Sequence, residues 1–221
     1  MKELEKIYSG IQIKKLPYAI DLDRFCIGNG NSIRKKLGIY NRKMLLYVGR
    51  MAGNKRVDII IRSMIEIKKT IPDIVFVCVG NTEFPHNREY KNLMELSKKI
   101  GVINNVIFTG SVPDEELPEY FRAADVYVTS SLHEGFCIPI LEAMACGKPT
   151  IASNCTALPE TQGDGGCVFA PGNHIDMAKI VIEILENNYL YKNLSSNGIN
   201  RAKQFSYNNF EKAIYKLIES K

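Results

Sequence analysis

The cysteines of this chain lack the spacings that indicate a disulfide framework or a zinc site. Six cysteines are scattered over 221 residues, and none forms a CxxC pair. Small disulfide-stapled domains and zinc-binding modules both need regularly spaced cysteines, so the sequence disfavours these two classes. We expect a protein of a reducing compartment, the cytoplasm.

Long apolar runs are also lacking. No stretch approaches the roughly 20 apolar residues that a membrane-spanning helix needs, and the first ten residues contain no apolar signal-peptide core. The sequence therefore predicts a soluble protein. Any membrane association would be peripheral, at the inner face of the membrane.

A dense basic stripe is missing as well. The chain has 29 basic and 24 acidic residues, a net charge of +5. That mild excess disfavours a nucleic-acid-binding protein, but it suits an anionic ligand such as a nucleotide, or weak attraction to an acidic membrane. With 45% hydrophobic residues, the chain can form one globular domain with a full core.

Short apolar runs alternate with segments of helical periodicity from about residue 40 onward. This alternation, with strands apolar throughout, predicts an α/β fold: a Rossmann-like parallel sheet with helices on both faces. Residues 1–39 have few periodic runs and are expected to be an irregular lead-in. Strands are predicted at 44–49, 74–79, 106–109, 126–129 and 149–153, and helices at 54–70, 88–100, 113–123, 139–146, 175–186, 190–204 and 207–220.

Two cations follow the first predicted strand. In an open parallel sheet, ligands bind at the carboxyl ends of the strands, which is where Gly49, Arg50 and Lys55 stand. Two positive side chains beside the start of a helix suit a diphosphate. The alternative is that Arg50 and Lys55 are ordinary solvated charges, and this segment alone does not separate the two interpretations.

Two carboxylates frame the loop after the fourth predicted strand. Glu134 lies in the loop, Pro139 stands where a first helical residue is expected, and Glu142 follows about one turn into the helix. A sugar diphosphate would find carboxylates here for its hydroxyls and the backbone N–H groups of residues 135–138 for its phosphates. The alternative makes Glu134 a surface residue and Glu142 an acid favoured by the helix dipole.

The run from Glu134 to Glu142 resembles the Glu-x7-Glu signature of retaining GT-B glycosyltransferases, in particular glycosyltransferase family 4 (group 1). Other segments resemble the same family in the same order, so the resemblance covers nearly the whole chain. These are 17–25, an interdomain linker; Gly49, Arg50 and Lys55, a phosphate grip; 109–117, a base-side loop; and 157–166.

The resemblance implies a role for each matching residue. Arg50 and Lys55 would bind the diphosphate and stabilise the leaving group, Glu134 would contact the sugar hydroxyls, and these three form the catalytic set. Such enzymes are similar in needing no metal ion and no cofactor, with a UDP- or GDP-hexose as substrate. The remaining substrate-binding residues would be Gly49, Val112 at the base through its main chain, His133 shaping the phosphate pocket, Gly135, Phe136, Cys137 and Ile138 through their backbone, and Glu142 at the ribose.

Two departures from the family pattern stand out. Cys137 replaces the usual glycine, which we expect to be tolerated if its φ stays negative. The family's N-terminal, acceptor-binding domain also has no counterpart in this sequence. We therefore expect either a part of a longer protein or a chain that works with a separate polypeptide. Its predicted divisions are 1–39, an interdomain-linker-like lead-in; 40–204, a nucleotide-sugar-binding domain; and 205–221, a C-terminal helix.

The function predicted from the resemblance is that of a retaining glycosyltransferase donor domain. It would help transfer a hexose (mannose, glucose or galactose) to a glycan, glycolipid or other lipid-linked acceptor. The alternative is a non-catalytic subunit or degenerate paralogue that only binds the nucleotide sugar. A dinucleotide-dependent oxidoreductase is disfavoured, because the segment 49–54 lacks the G-x-G-x-x-G spacing.

Overall fold

The computed structural model describes residues 16, 18–83 and 87–219. Its centre is a six-stranded sheet in the order β3-β2-β1-β4-β5-β6, and every neighbouring pair runs parallel. This confirms the predicted α/β fold. The strands are β1 (Met44–Val48), β2 (Val75–Val79), β3 (Val106–Gly110), β4 (Val126–Thr129), β5 (Thr150–Ser153) and β6 (Gly166–Phe169).

Helices cover both faces of the sheet, as its uniformly apolar strands require. Side chains from α1, α4, α5 and α6 pack on one face, and those from α2, α3 and α7 pack on the other. The helices are α1 (Asn31–Lys36), α2 (Val57–Thr70), α3 (Asn87–Lys99), α4 (Leu117–Ala123), α5 (Ile138–Ala145), α6 (Leu158–Gln162), α7 (His174–Glu186), α8 (Asn188–Lys203) and α9 (Tyr207–Glu219). None of these described helices is both long and apolar enough to cross a membrane.

The lead-in differs from its prediction. The expectation of an irregular segment is wrong for α1, and Phe25, Ile33 and Ile39 of the same segment are buried in the core. The Ile20 amide donates to the Phe205 carbonyl at 2.8 Å, which ties the lead-in to the far end of the chain. Buried residues here are too widely spaced to form a periodic pattern. Several residues of the predicted divisions lie outside the described residues: 1–15, Pro17, 84–86, Ser220 and Lys221.

The strand order places a binding crevice at β1 and β4. The chain moves outward from β1 through β2 to β3, and then returns to the other side of β1 with β4. The loops that leave β1 and β4 therefore diverge to opposite faces and leave a crevice at their carboxyl ends, where ligands of doubly wound folds bind. Both loops carry predicted site residues.

Candidate functional site

A cleft of about 460 Å³ opens at the carboxyl ends of β1 and β4, a volume within the usual range of ligand pockets. It brings together residues that lie more than 80 positions apart in the sequence. The described residues that line it are Tyr18, Tyr47, Val48, Gly49, Arg50, Lys55, Tyr127, Thr129, Glu134, Gly135, Phe136, Cys137, Ile138 and Pro139.

The backbone of Arg50 is fixed while its side chain stays open to solvent. The Tyr47 hydroxyl donates to the Arg50 carbonyl at 3.0 Å, and Gly80 packs so tightly on the Gly49 carbonyl that a side chain at position 80 would collide with it. Among the described residues the Arg50 guanidinium has no ion-pair partner. Its donors are therefore available to an anion in the cleft.

Lys55 and Glu134 form an ion pair across the cleft. The Lys55 Nζ lies 2.5 Å from the Glu134 Oε1, and the two side chains are only 13% and 15% exposed. The pair joins a 3-10 turn, Gly53–Lys55, to the loop after β4. That loop is also anchored on the turn, because the Leu132 amide donates to the Asn54 carbonyl at 2.9 Å.

The backbone before α5 has unsatisfied donors. Among the described residues, the amides of Gly135, Phe136 and Cys137 donate to no acceptor. They precede a helix whose N-terminal end carries partial positive charge. The Phe136 ring is held in place by stacking on Tyr18, with ring centroids 4.6 Å apart. This segment can offer several N–H groups to an anion.

Cys137 adopts a left-handed conformation, with φ 72°. A negative φ, the condition under which a cysteine was expected to be tolerated here, is therefore not met. The backbone keeps the shape that a glycine would allow, and the cysteine accepts the strain instead. Burial raises the pKa of its thiol to about 12, so the sulfur stays protonated near neutral pH and is not a nucleophile.

Three of the predicted residues do not line the cleft. His133 is exposed, and its carbonyl accepts a hydrogen bond from Ser131. Val112 is half-buried in the loop between β3 and α4. Glu142 is half-buried in α5, and its carboxyl interacts electrostatically with Arg24 and with Asp114, two positions after Val112. Glu142 and Val112 therefore lie outside the residues that line the cleft.

The Glu142 carboxyl has an unusual environment. Burial raises its pKa to about 7, with Arg24 opposing the shift and Asp114 adding to it. Arg24 and Asp114 are themselves paired, with Nη1 2.7 Å from Oδ2. The Glu142 carboxylate makes no hydrogen bond to a described residue, so its two oxygens can accept from a ligand.

The sequence analysis missed several residues of the site. Thr156, from the loop after β5, exchanges two hydrogen bonds with the main chain of Glu134. Tyr127 and Thr129 belong to β4 and line the cleft floor; the Tyr127 hydroxyl is buried with no hydrogen-bond partner among the described residues. The backbone conformation of Thr156 and the orientation of Tyr127 and Thr129 toward the cleft depend on tertiary structure. No pattern in the sequence therefore predicts these three residues as part of the site.

The described residues contain no group of three or more His, Cys, Asp or Glu side chains that could hold a metal ion. The charged groups of the cleft are instead two cations and a carboxylate: Arg50, Lys55 and Glu134. An anionic ligand would be held by side-chain and backbone N–H groups.

The family model for glycosyl transferases group 1 matches residues 30–201, most of the chain and the whole of the cleft described above except Tyr18. The chain belongs to this family. The group 1 assignment agrees with the resemblance found in the Glu134 to Glu142 segment.

Individual relatives agree with the family assignment. The chain is 41% identical over 102 residues to O-antigen chain mannosyltransferase B of Escherichia coli, which covers 46% of this chain and 27% of that protein. The chain spans between about a quarter and a half of the first curated relatives that it matches.

Solved structures show the same architecture. HepE from Anabaena in complex with UDP-glucose has a TM-score of 0.85 at 25% identity, covering 94% of this chain and 57% of that one. The C-terminal domain of a group 1 glycosyl transferase family protein, LpcC, from Francisella tularensis has a TM-score of 0.74 at 26% identity, covering 84% and 97%. The chain thus has the fold of a C-terminal GT-B domain.

Proposed function

We propose that this chain is the donor-binding half of a retaining glycosyltransferase and holds a nucleoside-diphosphate hexose in the cleft between β1 and β4. The observation that carries the proposal is the placement of Arg50 and Lys55 on one side of the cleft, facing the free amides of residues 135–137. A diphosphate carries the charge and the acceptor oxygens that this set of donors lacks.

The chemistry follows from these charges. As the bond between the sugar and the diphosphate breaks, negative charge develops on the leaving phosphate, and fixed cations stabilise it. Arg50 and Lys55 would supply this stabilisation without a metal ion. Glu134, released from Lys55 by the incoming phosphate, would accept hydrogen bonds from the sugar hydroxyls.

The two ends of the donor would occupy different parts of the crevice. Glu142 would accept hydrogen bonds from the ribose, and the main chain at Val112 would contact the base. The name of one relative, O-antigen chain mannosyltransferase B, supports mannose as the hexose of the donor. The complex of HepE with UDP-glucose supports uridine as its nucleoside.

Because the chain spans about half or less of these relatives, we infer that the acceptor is bound outside it, by a further domain or by a separate polypeptide. A group 1 enzyme of the relatives' length would need an N-terminal domain to present a glycan or lipid-linked acceptor. We infer that transfer takes place in the cytoplasm, at the inner face of the membrane when the acceptor is a lipid. The chain alone should bind the donor and transfer little or no sugar to an acceptor.

Calorimetric titration of the chain with UDP, GDP and ADP tests this proposal. We expect one of them to bind in the micromolar to millimolar range without metal, and added magnesium to leave the affinity unchanged. Binding that appears only with magnesium would contradict the metal-free mechanism. Robust transfer of sugar to an acceptor by the chain alone would contradict the proposal that it is only the donor-binding half of the enzyme.

A further inference from the structure

Thr156, in the loop after β5, holds the main chain of Glu134. The Glu134 amide donates to the Thr156 hydroxyl at 3.0 Å, and the same hydroxyl donates to the Glu134 carbonyl at 3.0 Å. One side chain thus satisfies both main-chain groups of Glu134. The contact joins the loop before α5 to the loop after β5.

The backbone of Thr156 is strained where it makes this contact. Its φ is 45°, in the left-handed region, which is a genuine outlier for a β-branched residue. Such strain persists only where surrounding interactions enforce it. Thr156 is exposed, so buried packing does not offset the strain. The two hydrogen bonds to Glu134 offset it instead.

The two hydrogen bonds between Thr156 and the Glu134 main chain determine where the Glu134 carboxylate lies. The loop is fixed on one side by the Leu132 amide, which donates to the Asn54 carbonyl, and on the other by Thr156. Between these two anchors the Glu134 carboxylate reaches the Lys55 Nζ at 2.5 Å. Without these two hydrogen bonds to Thr156, the loop would let the Glu134 side chain turn toward solvent.

We propose that Thr156 is a positioning residue for recognition of the donor sugar. When a diphosphate replaces Glu134 as the ion-pair partner of Lys55, the Glu134 carboxylate is released. Thr156 holds Glu134 so that this carboxylate then faces the hydroxyls of the hexose. This inference rests on the proposed function of the cleft. It concerns the sugar part of the donor, because the hydrogen bonds of the Thr156 hydroxyl to described residues go to Glu134 and not to Arg50 or Lys55.

The test compares binding of a nucleoside diphosphate with that of its hexose conjugate, for the base that binds the parent. Thr156→Val removes the hydroxyl but keeps the branched shape, and Thr156→Ser keeps the hydroxyl. In the Val variant we expect the ratio of the hexose conjugate's Kd to the diphosphate's Kd to rise about tenfold, the scale of one hydrogen bond to a charged group. The diphosphate's own Kd should stay the same or fall, because a Glu134 side chain that turns toward solvent frees Lys55 for the phosphates, and Ser should restore the parent ratio.

Two further variants separate positioning from a structural role. Thr156→Gly relieves the strained φ but loses the two hydrogen bonds that offset it, so its Tm should stay close to that of the parent, yet the ratio should rise as it does in Val. Glu134→Gln should raise the ratio and tighten binding of the diphosphate alone, because Lys55 loses its competing partner. Adding Thr156→Val to Glu134→Gln should raise the ratio no further, as expected for two residues that act through one interaction.

Several outcomes would overturn the inference. An unchanged ratio in the Val and Gly variants would do so, as would a parallel loss of both affinities. A rise in the Val variant that Ser does not reverse would assign the effect to packing. If the parent binds no nucleoside diphosphate at all, the proposed function fails first; binding of the diphosphate with an unchanged ratio leaves that function standing and removes only the role of Thr156.

Discussion

The Glu142 carboxyl should make stability depend on pH. Burial raises its pKa from 4.5 to about 7 in the folded chain, so between these values the folded state binds more protons than the unfolded state. The free energy of unfolding then falls as pH rises from about 4.5 to 7, and stays lowered above that. The direction is opposite to that of a salt-bridged carboxylate.

Glu142→Gln should therefore stabilise the chain at alkaline pH. At pH 8 we expect a free energy of unfolding about 2 kcal/mol above that of the parent, from 1.36 kcal/mol for each unit of pKa shift less screening. At pH 5 the two should agree more closely. Urea unfolding at both values measures the difference, with the exposed Glu115→Gln as the control. An equal gain at both values would show that charge burial is not the cause.

The left-handed backbone of Cys137 separates two effects of one side chain. A β-carbon in this region costs roughly 1–2 kcal/mol relative to glycine, whereas the thiol gains from burial against the core. Replacing the cysteine by alanine removes the thiol and keeps the β-carbon, and glycine removes both. The difference between the two variants therefore isolates the backbone strain.

We expect Cys137→Gly to be more stable than Cys137→Ala by about 1 kcal/mol, the reverse of the usual order. Chemical denaturation of the two variants gives this difference directly. At a position with ordinary φ, such as Ala145 in α5, glycine should be less stable than alanine, which provides the control. Alanine more stable than glycine at 137 would mean that φ is negative there in solution.

At the scale of elements, the five predicted strands were β1 to β5, each recognised from a short apolar run. β6 has only four residues, begins at Gly166, and is buried only at its last residue, Phe169. Helix α6 has five residues, too few to show a period. Both elements depend on tertiary contacts: Gln162 at the end of α6 donates to the carbonyls of Thr150 and Cys167 and so links β5 to β6.

Gly166, the first residue of β6, packs against Gln162 so closely that there is no space for a side chain. A β-carbon there would collide with the Gln162 amide and the Thr150 hydroxyl. We expect Gly166→Ala to lower the free energy of unfolding by about 1–3 kcal/mol, the usual cost of overpacking. Gly53→Ala is the matched control, because a β-carbon at Gly53 meets no atom within 4 Å. Equal effects of the two variants in urea unfolding would contradict the packing shown at β6.

At the scale of the whole molecule, the sequence placed most of the charged site because the carboxyl ends of parallel strands share one edge. Arg50, Lys55 and Glu134 lie in loops that leave the carboxyl ends of β1 and β4, so the prediction of a parallel sheet sufficed to place them at one edge. It did not reveal that Lys55 and Glu134 pair with each other, or that Thr156 supports the pair. Those contacts depend on loop conformations that residue types alone do not specify.

The central claim is that the cleft holds a diphosphate through Arg50 and Lys55. The most direct test measures the Kd of the nucleoside and of its diphosphate for the parent and for Arg50→Ala and Lys55→Ala, with Lys69→Ala on α2 as the control for net charge. We predict that the diphosphate binds the parent more tightly than the nucleoside does. In each cleft variant the ratio of the nucleoside's Kd to the diphosphate's Kd should fall about tenfold, because a hydrogen bond to a charged group is worth about 1.5–3 kcal/mol. The control should keep the parent preference. Cleft variants that bind the diphosphate as tightly as the parent does would contradict the claim.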